Sequence, residues 1–69
     1  MNWDTIQGNW MQFKSEVRMN WVKLTEEDLT RIGGRRELLA RTLQAHYGFA
    51  RAEAEREIDA WIKTQRHAA

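Results

Sequence analysis

The stretch WDTIQGNWMQFKSEVRMNWVKL, residues 3–24, holds three of the four tryptophans of this chain. Trp3, Trp10 and Trp21 are spaced so that, at about 100° per residue, they return to nearly one azimuth of an α-helix. Ile6, Phe13, Val17 and Leu24 fall within roughly 80° of that line, which makes one apolar stripe from Trp3 to Leu24. The spacing predicts a single helix over this stretch, capped by Asn2 or by Asp4, whose charge also suits the positive end of the helix dipole. Gly8 lies about 140° from the stripe, on the side expected to face water, where it costs about 1 kcal/mol relative to Ala. An apolar stripe of this length must be covered by the rest of the chain.

The remainder reads as three shorter helices. Thr25-Glu26-Glu27-Asp28 places a hydroxyl ahead of three acids, a strong start signal in which Asp28 stands in for the usual Glu or Gln of a capping box. That helix turns Leu29 and Ile32 inward and stops at Gly33-Gly34. The next runs from about Arg35 to Tyr47, with Leu38, Leu39, Thr42, Leu43 and His46 on one face and a favourable Glu37–Arg41 pair on the other. Gly48 sits where a left-handed cap belongs, and Phe49 is placed to fold back on it. The last helix spans about Ala50 or Arg51 to Gln65, with Ala54, Ile58, Trp61, Ile62 and Gln65 inward and Glu53, Glu55, Arg56, Asp59, Lys63 and Arg66 toward water. The end, His67-Ala68-Ala69, is expected to fray.

Sixty-nine residues are read as one domain, 1–69, of modest stability, since a domain of this size buries only about 60% of the surface of its unfolded chain. The chain has no Cys, hence no disulfide, thiolate metal site or thiol nucleophile, and helix packing must suffice. Charge is mixed along the chain, with 11 Lys plus Arg against 10 Asp plus Glu and a net charge of +1, which argues against a segment dedicated to polyanions or to a membrane surface. No apolar run approaches the roughly 18 residues of a membrane span, and the N-terminal residues lack the basic and apolar segments of a secretory signal. A cytoplasmic, soluble protein is expected.

The series Gly8-Asn9-Trp10 with Phe13-Lys14, then Trp21-Val22-Lys23-Leu24-Thr25 with Asp28-Leu29, then Ile32, Gly34, Arg36 and Leu39, resembles the CsbD-like family of small bacterial stress proteins. Tyr47-Gly48-Phe49, Ala54-Glu55-Arg56-Glu57-Ile58 and Asp59-Ala60-Trp61 continue the resemblance over nearly the whole chain. It implies an all-α domain of four helices, two α-hairpins packed crosswise in the manner of a SAM domain, and abundance under general stress. It implies no catalytic residues and no cofactor.

Two surfaces carry candidate function. Arg31, Arg35, Arg36 and Arg41 surround the Gly33-Gly34 turn and form the only basic concentration, a candidate anion or nucleic-acid surface. Against it stand the nearby acids Glu26, Glu27, Asp28 and Glu37 and a net charge that is weak for a duplex binder. Met11, Met19 and Val22 project about 80° to 160° away from the tryptophan line, a candidate surface for a partner or for self-association. The tryptophan stripe could in principle stack nucleic-acid bases beside Lys14 and Arg18, but Ile6, Val17 and Leu24 on the same line mark it as core. His46 and His67 have no partners at metal-ligand spacing, and His46 is expected to be partly buried and hydrogen-bonded. The i,i+4 acid pairs Glu53, Glu57 and Glu55, Asp59 alternate with Arg51, Arg56 and Lys63 and read as a salt-bridged surface. No nucleophile motif or phosphate loop is present, so no enzyme activity is expected. The leading reading is a non-enzymatic stress-response protein acting through a macromolecular partner; the alternatives are a nucleic-acid-binding module and a self-associating structural protein.

The expected core is Trp3, Ile6, Trp10, Phe13, Val17, Trp21, Leu24, Leu29, Ile32, Leu38, Leu39, Leu43, Tyr47, Phe49, Ile58, Trp61 and Ile62. Trp10→Ala or Trp61→Ala should therefore cost about 3–5 kcal/mol in thermal melts, comparable with the whole stability of so small a domain. A loss below about 1 kcal/mol would refute the core assignment.

Overall fold

A computed structural model describes residues 2–65, and the described residues form five α-helices with no strand. They are α1 (Trp3–Gly8), α2 (Trp10–Asn20), α3 (Glu26–Ile32), α4 (Arg36–Tyr47) and α5 (Arg51–Thr64). The outward position expected of Arg66, and the frayed end at His67-Ala68-Ala69, lie outside the described residues.

The four expected helices become five because the first one breaks at Asn9. In an unbroken helix the Asn9 backbone N–H would donate to the carbonyl of Thr5. Here the Asn9 side chain takes that carbonyl, Nδ2 donating to Thr5 O at 2.8 Å, and the backbone N–H slips forward to Ile6 O at 3.2 Å. Asn9 accordingly leaves helical geometry, with φ −123° and ψ 38°. Gly8 ahead of it adds no side chain to resist the break: a Cβ there would meet nothing within 4 Å. The second correction is at the other end, where α2 stops at Asn20 and Trp21 is its cap, so Leu24 sits in the turn that follows. Thr25 must be extended (φ −97°, ψ 166°) to start α3, which forces the chain out of helix before it.

The caps follow the sequence closely. Asn2 rather than Asp4 caps α1, accepting the N–H of Thr5 at 3.1 Å. Thr25 and Asp28 form both halves of the capping box, Thr25 Oγ1 accepting Asp28 N–H and Asp28 Oδ2 accepting Thr25 N–H, each at 3.1 Å. Gly48 closes α4 at φ 72°, and Phe49 stacks on Tyr47 at 5.3 Å and 9°. Gly34 has a different reason for being glycine. At φ 86°, a Cβ would stand 3.2 Å from the Gln7 backbone of α1, and the bare turn lets Trp3 Nε1 donate to Gly34 O at 2.8 Å.

All seventeen expected core residues pack together; Trp3, Leu38, Tyr47, Phe49 and Ile62 are half-buried at the rim of the core, and Ala40 and Ala54 are fully buried within it. Trp61 is the node. Its ring lies 6.5 Å from Trp3, 6.3 Å from Phe13 and 5.8 Å from Trp21 between centroids, so α5 is held against α1, α2 and the turn after α2 by one side chain. Gln65, buried at the end of α5, satisfies the node: with its amide oriented to suit its neighbours it accepts from Trp61 Nε1 at 3.2 Å and donates to Glu16 at 3.1 Å.

The tryptophans differ in one respect. Trp10 Nε1 donates to Leu29 O at 2.9 Å, tying α2 to α3, whereas Trp21 Nε1 is buried with no hydrogen-bond partner among the described residues. A buried unpaired donor costs about 1–3 kcal/mol. Trp21→Phe should therefore be tolerated at least about 1 kcal/mol better than Trp10→Phe in urea unfolding, because it removes the orphan N–H while Trp10→Phe loses a bond. Equal losses would show that Trp21 finds a partner in solution.

Candidate functional site

Four arginines flank the turn from α3 to α4, and the structure separates them. Arg36, in the first turn of α4, is half-buried and points across to α5, where its guanidinium meets Glu55 Oε1 at 2.8 Å and Asp59 Oδ1 at 2.7 Å and also donates to the Glu55 carbonyl at 3.3 Å. The Glu55, Asp59 acid pair thus has its cation supplied from within the fold, and Glu55 is half-buried rather than turned to water. Arg36 is a clamp between α4 and α5. Arg41 pairs with Glu37 one turn back at 3.0 Å, and Arg31 reaches Asp28 at 3.5 Å. Arg35 is exposed and has no ion-pair partner among the described residues. The cluster is therefore one structural arginine, two arginines in surface pairs and one left free.

Asp28 is the ionic centre of the α3–α4 side. Its side chain is only 11% exposed, yet each oxygen has a partner: Oδ2 takes the Thr25 N–H and meets His46 Nε2 at 2.8 Å, and Oδ1 faces Arg31. The hydrogen bond from the Thr25 backbone holds this carboxyl below the usual Asp range against the opposing effect of burial, and Thr25 and His46 add to the lowering. An ionised carboxylate only accepts, so His46 carries its proton on Nε2. His46 is hydrogen-bonded as expected, with its ring 36% exposed, at the edge rather than inside. No spacing rule links residues 28 and 46; the pair exists because α4 folds back over α3. Glu55 is likewise held below the ordinary range, first by its hydrogen bond from Arg36, with burial opposing and Arg51 assisting. Among the described residues no group of His, Asp and Glu side chains could hold a metal ion, and no helix is long and apolar enough to cross a membrane.

The α2 face opposite the core presents Met11 and Met19, each 78% exposed, and Val22 just beyond it, 75% exposed. The short α3 leaves Val22 uncovered. Ser15, Arg18, Met19, Val22 and Glu26 line an open groove of about 450 Å3 between the second half of α2 and the start of α3. Glu26 holds Arg18 at 3.4 Å and Lys14 at 3.8 Å along its edge.

Because Asp28 and Glu55 titrate lower when folded, the stability they contribute is complete above about pH 6, where both carboxyls are ionised even in the unfolded chain, and is lost as pH falls from there through their folded values. Asp28→Ala should cost about 1–3 kcal/mol in urea unfolding near neutrality, through loss of the cap and of the His46 and Arg31 contacts. It should also lose less stability than the parent between about pH 5 and pH 3. An acid limb as steep as that of the parent would show that Asp28 does not carry the effect.

No family model matches the chain. It is 46% identical over 63 residues to the UPF0337 protein YjbJ of Escherichia coli O6:H1, covering 91% of both chains. To a UPF0337 protein of Rhodopseudomonas palustris it is 44% identical over 64 residues, 93% of this chain and 97% of the relative. To YjbJ of Escherichia coli K12 it is 44% identical over 61 residues, 88% of each. Identity at this level across nearly the full length of both chains places the protein in the UPF0337 family.

Proposed function

We propose that this protein is a non-enzymatic stress-response protein of the CsbD-like type that acts in the cytoplasm by binding a macromolecular partner through the outer face of α2. The resemblance in Trp21 to Asp28 and in the second half of the chain supports the stress role, and with it the crosswise pairing of two α-hairpins. The observation that carries the partner is the exposure of Met11, Met19 and Val22, where the other large aliphatic side chains among the described residues are buried wholly or in part. Met adapts to irregular surfaces, and two exposed Met with Val22 beside an open groove suit a docking surface. The nucleic-acid alternative is weakened by the ionic geometry, since Arg36 is committed to α5 and the acids Asp28 and Glu37 lower the positive potential that a polyanion would meet around Arg31 and Arg41. Should it hold, affinity for DNA falls steeply with salt.

A photo-crosslinking residue placed at Met19 in bacteria grown with and without general stress tests the reading. A discrete adduct is expected, lost in the Met11→Glu background and absent when the same residue is placed at Arg56. An adduct with a second copy of this chain would favour the self-associating alternative, to be checked by sedimentation. Absence of any adduct at Met19 would overturn the proposal.

A further inference from the structure

The cleft between α3 and α4 has a volume of about 260 Å3. Its ionisable lining is Asp28, Arg31, Arg41 and His46, above a floor that includes Ile32 and Leu38. Two guanidiniums from two different helices border this cleft with a single carboxylate between them, and that carboxylate is already engaged. Asp28 Oδ2 is taken by Thr25 and His46 at 3.1 and 2.8 Å. The arginines are held far more loosely. Arg31 is 66% exposed and reaches Asp28 only at 3.5 Å, and Arg41 is 65% exposed, with a partner, Glu37, that does not line the cleft. Surface pairs of this kind contribute little and exchange readily for a better acceptor.

We propose that this cleft binds a small phosphate monoester, held by the guanidiniums of Arg31 and Arg41 against Leu38. Each guanidinium is a planar fork of donors matched to paired anionic oxygens. A phosphate monoester brings about −1.5 to −2 charge and three acceptor oxygens, enough for both forks, where a carboxylate brings one charge and two oxygens. The volume lies below the roughly 300 Å3 at which pockets for drug-sized ligands begin, so the organic part is small. Leu38, half-buried, offers it an apolar surface. The site is separate from the α2 face, and its failure would leave the partner reading untouched.

The test is an amide NMR titration of the labelled protein with inorganic phosphate, phenyl phosphate and acetate at constant ionic strength. Saturable shifts confined to residues around Arg31, Ile32, Leu38, Arg41 and Thr42 are expected, with phenyl phosphate at least as tight as phosphate and acetate about tenfold weaker. Arg31→Gln and Arg41→Gln should each weaken phosphate about tenfold, while Arg56→Gln, an equal change of charge on α5, should leave it unaltered. Arg41→Lys keeps the charge and loses the fork, and should bind more weakly than the parent. Shifts that stay linear and spread over all basic residues, or an affinity unchanged in the Arg31→Gln, Arg41→Gln double variant, would overturn the proposal.

Discussion

Everything in this fold depends on the indole of Trp61. With no disulfide, the helices have only side-chain packing to hold them, and this ring touches aromatic rings from α1, from α2 and from the turn that follows α2. Aromatic pairs at these separations add about 0.5–1.5 kcal/mol each beyond the area they bury. For a domain whose net stability is the small remainder of large opposing terms, three such pairs on one side chain are a large share. The second tie is ionic: Arg36 joins α4 to α5 through Glu55 and Asp59, on the far side of α5 from the aromatic node.

The elements legible in the sequence were those written in local periodicity and in capping chemistry. The stripe from Trp3 to Leu24 and the core on α4 and α5 follow from the 3.6-residue repeat, and Thr25, Asp28 and Gly48 cap as their chemistry requires. The break at Asn9 is not legible in the pattern, although Gly8 and Asn9 stand side by side, because the stripe continues through it: the bend leaves Trp3 and Trp10 on the same side, their rings 6.4 Å apart. A periodic pattern reports which face is apolar and is insensitive to a bend that keeps the face. Trp21 and Leu24 show the same blindness, since both are buried from a turn rather than from a helix.

The candidate sites were legible to different degrees. Exposure of Met11 and Met19 follows from azimuth on α2, whereas Val22 is exposed from the turn beyond it. The fate of the arginines does not, because it is set by contacts between helices: Arg36 meets side chains 19 and 23 residues away, and Asp28 meets His46 18 residues away. A cluster of like charges in sequence is dispersed by its acidic partners in space, and what remains of it is the exposed Arg35 and the two loosely held guanidiniums at the α3–α4 cleft.

The side-chain amide of Asn9 has a consequence for motion. By taking the Thr5 carbonyl it cuts the backbone ladder, so α1 does not share the cooperativity of α2. A helix of six residues is far too short to persist alone in water. It is held in place by Trp3, Ile6 and the bond to the bare Gly34 turn, which makes α1 a separable latch. Its helical form is therefore maintained by tertiary contacts rather than by helix cooperativity, and any change that loosens those contacts unwinds α1 without requiring α2 to unwind.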